Sequence, residues 1–159
     1  MSIGKLSTVI AVAMLVTTSP LVSANADEHD GITKVKSVYS LRETVAHIKK
    51  QVANLGIRFF TEIDQSELAA EHETELRPST LLVFGNPELG ARFIKANPLT
   101  GLDWPVRLLV TQDDSGTVWI AWTDFDWIAR RHRITNRAVY FKMANDVITT
   151  VTGDVVAAR

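Results

Sequence analysis

Hydrophobic and polar residues alternate over residues 33–39, which is typical of a strand with one face in water. From residue 41 the apolar period lengthens to three or four, which predicts a helix with one apolar face made of Leu41, Val45, Ile48, Val52 and Leu55. Ser40 and Glu43 have the spacing of a capping box at its start, and Gly56 follows its last turn. The pattern therefore predicts a strand followed by a capped amphipathic helix.

The apolar run at residues 81–84 predicts a strand that is covered on both faces. The turn Gly85-Asn86-Pro87 follows directly. Gly and Asn tolerate backbone angles that other residues avoid, and Pro suits the first turn of a helix. We therefore expect this strand to lead straight into a helix over residues 88–96.

The other periodic segments predict a strand at 57–63, an exposed helix within 66–75, a hairpin of strands at 105–111 and 117–123, a short helix at 126–132 and a terminal helix from Asn136. The order β-α-β-α-β-α-β-β-α predicts a single compact α+β domain with helices packed on a mixed, mostly antiparallel sheet. We assign residues 27–32 to a flexible lead-in, 33–134 to this domain and 135–159 to a C-terminal helical extension.

Residues 1–26 have the pattern of a cleaved signal peptide. Lys5 supplies a positive charge, residues 8–16 are apolar, and Ala24-Asn25-Ala26 is a small-residue cleavage site. The apolar run is too short for a stable transmembrane helix, although an uncleaved anchor is the alternative because Lys5 is the only early charge. We expect a periplasmic or secreted protein with no stable membrane span after processing.

The composition excludes several classes of function. The chain has no cysteine, which rules out thiol nucleophiles, CxxC redox centres, iron–sulfur clusters and covalent haem attachment. Cleavage after Ala26 would leave 159 − 26 = 133 residues, enough for one domain with a real core. Loss of Lys5 would leave 16 basic against 18 acidic residues, a net charge of −2 that predicts no nucleic-acid partner.

Several sequence blocks, taken in order, resemble an uncharacterised family known as domain of unknown function 302. They are LRPSTLLVFGNP at 76–87, ANP at 96–98, LDWPVRLLV at 102–110, GTVWI at 116–120 and ARRH at 129–132. The resemblance covers residues 33–134 and implies a compact, dimeric α+β fold with no established activity.

Family members tend to have Leu where this chain has Trp104, and often Asp-His where it has Asp64-Gln65. The Trp104 difference would reshape any pocket lined by that strand.

His29 would be the third residue of the mature chain if cleavage follows Ala26. A free amine on Asp27, two deprotonated amides and the imidazole of His29 then suit square-planar Cu(II) or Ni(II). The alternative is an acidic lead-in with an incidental histidine, and cleavage after Ala24 would abolish the site.

Arg130, Arg131 and His132 lie close in sequence to Asp124. The two arginines could anchor a small anionic ligand, and Asp124 could orient His132 as the acid–base pair of an enzyme. The alternative is a solvated basic surface, since runs of charge are usually exposed.

Two further features suggest binding of a small ligand. Asn86 is placed at a strand-to-helix turn, where backbone N–H groups are unpaired, although it could simply satisfy that turn. Trp119 and Trp122 lie on opposite faces of one predicted strand, so one of them must meet a helix, a second subunit or an aromatic ligand. We therefore favour a binding module, with the His132–Asp124 enzyme and a homo-oligomeric interaction protein as alternatives.

Overall fold

The computed structural model describes residues 30–156. The predicted signal peptide and the predicted ligands Asp27 and His29 lie outside the described residues. The elements in chain order are β1 (Ile32–Lys36), α1 (Leu41–Asn54), β2 (Arg58–Asp64), α2 (Gln65–Ala70), β3 (Ser79–Gly85), α3 (Pro87–Ala96), a 3-10 helix (Pro98–Leu102), β4 (Val106–Gln112), β5 (Val118–Thr123), α4 (Phe125–Arg131) and α5 (Ala138–Gly153).

The five strands form one sheet in the order β1-β5-β4-β3-β2. All four pairings are antiparallel, so the predicted α+β class is confirmed while the sheet is not mixed. A crossover after β1 carries the chain through α1 to the far edge, and the later strands return towards β1. The first and second strands therefore lie at opposite edges.

The core lies between one face of the sheet and the helices. Leu82 faces Leu108 across β3 and β4, and Val110 faces Ile120 across β4 and β5. Helices α1 and α5 cover this row with the buried side chains Val45, Ile48, Val52, Phe141, Ala144, Ile148 and Val151. These are the positions at which the helical period predicts an apolar face.

Helix α5 is part of this core rather than a separate extension. Beyond its end, the Val38 amide donates to the Val155 carbonyl at 2.9 Å, and Ser37 forms an isolated antiparallel bridge with Val156. The segment assigned from sequence to an extension thus closes the fold, because its apolar face completes the helical layer.

Local capping signals are confirmed in the structure. Glu43 N donates to Ser40 Oγ at 3.4 Å while Ser40 N donates to Glu43 Oε2 at 3.1 Å, so the capping box forms. The Ser40 hydroxyl, which donates to Glu43 Oε2 at 2.6 Å, and next the Ser40 backbone N–H lower the pKa of Glu43. Gly56 and Gly116 have φ of 63° and 82°, the left-handed conformation that glycine adopts most easily.

The opposite face of the sheet is not covered by α1 or α5. Ile63, Leu81, Leu109 and Ala121 form a continuous row across β2, β3, β4 and β5, and all four are partly exposed. We call this row the open face.

Within residues 30–156, no helix is both long and apolar enough to cross a bilayer.

Candidate functional site

A partly enclosed cavity of about 180 Å³ lies where β3 ends and β4 begins, beneath α5. The sequence patterns do not predict it, because it is built by five separate parts of the chain. Its apolar walls come from Leu55, Ile57, Phe84, Leu89, Trp104, Val106, Phe125, Met143, Ala144, Val147 and Ile148. Among residues 30–156, Asn86 is its one polar lining residue, and no charged side chain lines it.

Trp104 forms one wall of the cavity and lies against two glycines. A methyl group built on Gly90 would come within 2.1 Å of the indole Cε2 and Nε1 atoms, and one on Gly85 within 2.6 Å of Cη2 and Cζ2. The ring also meets Phe93 edge-on, with the ring centroids 6.5 Å apart. Gly85 has no positive φ, so its role is to leave space for Trp104 rather than to permit an unusual turn.

Asn86 closes the start of α3. Its Oδ1 atom accepts from Glu88 N at 2.9 Å and Leu89 N at 3.2 Å, which makes it the N-cap residue. The Nδ2 group donates to no residue within 30–156. Asn86 is exposed and also lines the cavity, so it combines the N-cap role with an Nδ2 donor that has no partner among residues 30–156.

His132 pairs with Asp103 and not with Asp124. The Nε2 atom of His132 lies 2.6 Å from Asp103 Oδ2, and both side chains are buried. Asp124 is at the other end of α4, where its carboxylate accepts from Trp127 N at 2.6 Å as the helix N-cap. The predicted acid–base pair does not form because α4 separates its two members.

Arginines complete the environment of the Asp103 carboxylate. Arg131 Nη1 lies 3.2 Å from Asp103 Oδ1, and Arg107 Nη2 lies 3.5 Å from the same oxygen. Asn97 Nδ2 donates to the His132 carbonyl at 3.0 Å. This cluster links the loop before β4 to the end of α4. The charged side chains therefore have a structural role here.

The space beside Asp103 is too small for a substrate. The recess there has a volume of about 10 Å³, no more than one water requires. Val106 and Phe125 line both this recess and the larger cavity, so a wall of two apolar side chains separates the ion pair from the cavity.

The two predicted anion-binding arginines do not converge. Arg131 is held by Asp103, and its guanidinium carbon lies 5.2 Å from the centre of the Trp127 ring. Arg130 instead lines a separate open depression between α4 and α5. The structure therefore does not bring Arg130 and Arg131 together on one ligand.

Trp119 and Trp122 lie on opposite faces of β5, as their spacing predicts. Trp122 packs partly buried against the core on the helical side. On the other side, Trp119 Nε1 donates to Asp113 Oδ2 at 2.7 Å, and Lys34 Nζ lies 4.1 Å from the centre of the Trp119 ring. Both are explained by contacts within the chain, and their role in ligand binding stays a prediction.

Other surface features are less suited to holding a small molecule. A larger depression of about 770 Å³ beside the start of α1 is open to solvent and lined mainly by loop residues. Across residues 30–156, no group of three or more His, Asp or Glu side chains is placed to hold a metal ion. The 180 Å³ cavity is the better enclosed site.

Comparison with known proteins identifies the family but no activity. The fluoride-specific ion channels FluC 1 of Brucella suis biovar 1 (strain 1330) and FluC 1 of Brucella abortus biovar 1 (strain 9-941) are each 35% identical over 104 residues, 65% of this chain. The chain spans about two fifths of their length, 41% and 38% respectively.

A solved structure has the same fold. The crystal structure of an uncharacterized conserved DUF302 protein from Bacillus stearothermophilus aligns with a TM-score of 0.63 and 20% identity, covering 79% of this chain and 95% of that one. Residues 33–151 match the family described as "Domain of unknown function DUF302", a range that continues beyond residue 134 into α5. From the match over most of its length, this chain belongs to the DUF302 family.

Proposed function

We propose that this domain is a binding module that takes a small, largely apolar molecule into the cavity beneath Trp104. The observation that carries the proposal is a partly enclosed volume of about 180 Å³ that no charged residue of the described segment 30–156 lines. Ligand sites are typically concave, mainly apolar and equipped with a few polar groups, and Asn86 is such a group here. An apolar cavity also lowers stability while it is empty, so an occupant would stabilise the fold.

The test is a thermal-shift titration with toluene and indole, which have the size of one or two rings. We expect the melting temperature of the wild-type protein to rise with ligand concentration, because a ligand at ten times its Kd stabilises by about 1.4 kcal/mol. Val147→Phe places a ring inside the cavity and should abolish the shift. Val139→Phe, on the same helix but 63% exposed, should leave it unchanged. No shift for the wild type, or equal shifts in all three proteins, would overturn the proposal.

We also propose that the protein is exported and works in the periplasm or outside the cell. Support comes from the sequence pattern of residues 1–26. Mass spectrometry of the protein purified from its native host tests this directly. A chain that retains residue 1 in the cytoplasmic fraction would contradict export.

The homodimer implied by the family resemblance would form most naturally at the open face. The row of Ile63, Leu81, Leu109 and Ala121 could pack on a second sheet at a separation of about 10 Å. Sedimentation at micromolar concentration should then show a dimer that Leu109→Lys dissociates. A wild-type protein that sediments as a monomer would contradict the proposed dimer.

A further inference from the structure

The size of the cavity restricts what can occupy it, provided that the proposed binding function holds. A volume of about 180 Å³ lies below the roughly 300 Å³ at which sites for drug-sized ligands begin. It slightly exceeds the roughly 150 Å³ of an apolar cavity that accommodates benzene. The occupant is therefore the size of one ring with a short substituent, and haem is too large.

The walls also determine the charge and shape of the occupant. Since none of the charged side chains that the structure describes lines the cavity, an ionised ligand would lose its hydration without gaining a counter-ion. Phe84, Trp104 and Phe125 offer ring faces and edges, and Met143 offers a polarizable sulfur. Both kinds of wall favour contact with another aromatic ring.

One lining residue, Asn86, supplies a hydrogen-bond donor that has no acceptor among residues 30–156. The Oδ1 atom of Asn86 is already occupied by the α3 amides, so the amide group retains only its Nδ2 donor. The indole Nε1 of Trp104 lies against Gly90 of α3 and is not counted as a donor to the cavity. A ligand that matches this polarity needs an oxygen or nitrogen acceptor on its ring substituent.

From size, charge and polarity together, we infer that the cavity binds a neutral single-ring aromatic compound with one hydrogen-bond acceptor, such as an aryl ketone or aryl ether. Asn86 Nδ2 donates to that acceptor while Trp104 and the two phenylalanines hold the ring.

The test compares acetophenone with α-methylstyrene, which has the same shape but a CH₂ group in place of the carbonyl oxygen. Asn86→Asp retains the Oδ1 atom that caps α3 and replaces the Nδ2 donor by a second acceptor. In the wild type we expect acetophenone to bind the more tightly of the two. In Asn86→Asp the ratio of the two affinities should fall at least fivefold, as expected for loss of about one hydrogen bond.

Matched controls separate this inference from the proposed function. Asp64→Asn makes the reverse exchange at the N-cap of α2, away from the cavity, and should leave the affinity ratio unchanged. If both probes bind but the ratio is the same in wild type and Asn86→Asp, the acceptor assignment is wrong while the binding function stands. If neither probe binds, the binding function itself fails. Benzoate binding as tightly as acetophenone at neutral pH would overturn the requirement for a neutral ligand.

Discussion

Trp104 lies against Gly90 so closely that a methyl group on this glycine would come within 2.1 Å of the indole ring. The two residues belong to the loop before β4 and to α3, and their contact sets one wall of the cavity. A glycine in the middle of a helix normally costs about 1 kcal/mol relative to alanine. In α3 this unfavourable contribution is offset because a side chain at position 90 would clash with the indole ring of Trp104.

Gly90→Ala should therefore lower the free energy of unfolding, by about 2 kcal/mol, although alanine is the better helix former. In the Trp104→Leu background the clash disappears, and the same substitution should become neutral or stabilising. Urea denaturation of the four proteins of this double-mutant cycle measures the coupling.

Gly153→Ala is the matched control for the glycine substitutions, since a methyl group there meets no atom of the described residues within 4 Å. It should stabilise slightly or have no effect. Equal effects of Gly90→Ala with and without Trp104 would show that the ring does not determine the requirement for glycine.

Asp103→Ala should be more harmful than Asp124→Ala. The first substitution removes the buried carboxylate that His132, Arg131 and Arg107 share, at a cost of about 3 kcal/mol. The second removes an N-cap, which costs about 1 kcal/mol. Chemical denaturation distinguishes the two, and the opposite order would show that the Asp103 cluster stabilises the fold less than the Asp124 cap.

The contribution of Asp113 to the stability of the hairpin between β4 and β5 should depend on pH only under acidic conditions. The hydroxyl of Ser115, and next the indole N–H of Trp119, hold the pKa of Asp113 well below its ordinary value. A lowered folded pKa means that the contribution is complete above the unfolded value of about 3.9 and is lost as the pH falls through the folded value. The NMR signal of the Trp119 indole proton should therefore stay constant from neutral pH down to about pH 4 and shift only below it.

Asp113→Asn tests the same contact without a change of pH. An asparagine at this position can keep the Oδ1 acceptor for Ser115 and Thr117, while its amide nitrogen would oppose the Trp119 N–H. The Trp119 proton should move to the position of a solvent-exposed indole. An unchanged signal in the variant would refute the assigned hydrogen bond.

The mature N-terminus offers a separate prediction. Cleavage after Ala26 would begin the chain at Asp27 and place His29 third, so one equivalent of Cu(II) should produce the absorption band of a square-planar nitrogen site. His29→Ala in the processed protein should remove the band. A mature chain that begins at Asn25 would place Asp27 third and leave no such site.

Features that depend on neighbours three or four residues apart could be predicted from the sequence. The Ser40–Glu43 capping box and the Asn86 cap belong to this class. The contact of His132 with Asp103 spans 29 residues, and no local pattern indicates it. A nearby aspartate, Asp124, offered a plausible partner, but the helix between them directs the two side chains to different ends.

The role of Gly85 shows a different limit. Its position in a Gly-Asn-Pro turn suggested a need for unusual backbone angles, yet its φ is not positive and the indole of Trp104 occupies the space beside it. A glycine can be required because it has no side chain or because it permits unusual backbone angles. Only the position of the Trp104 ring, which is distant in sequence, shows which of these reasons applies to Gly85. The cavity was unpredictable for the same reason, because its walls come from remote segments.

The bridge between Ser37 and Val156 has a consequence for how this domain can be joined to others. The first strand begins at Ile32, five residues before Ser37, and Val156, three residues beyond the end of α5, pairs with Ser37. The start of the first strand and the residue that follows the last helix thus lie along one edge of the sheet, about 16 Å apart at a rise of about 3.3 Å per residue. A domain with neighbouring ends can be attached to a larger protein at either end, or inserted within one, through short connections.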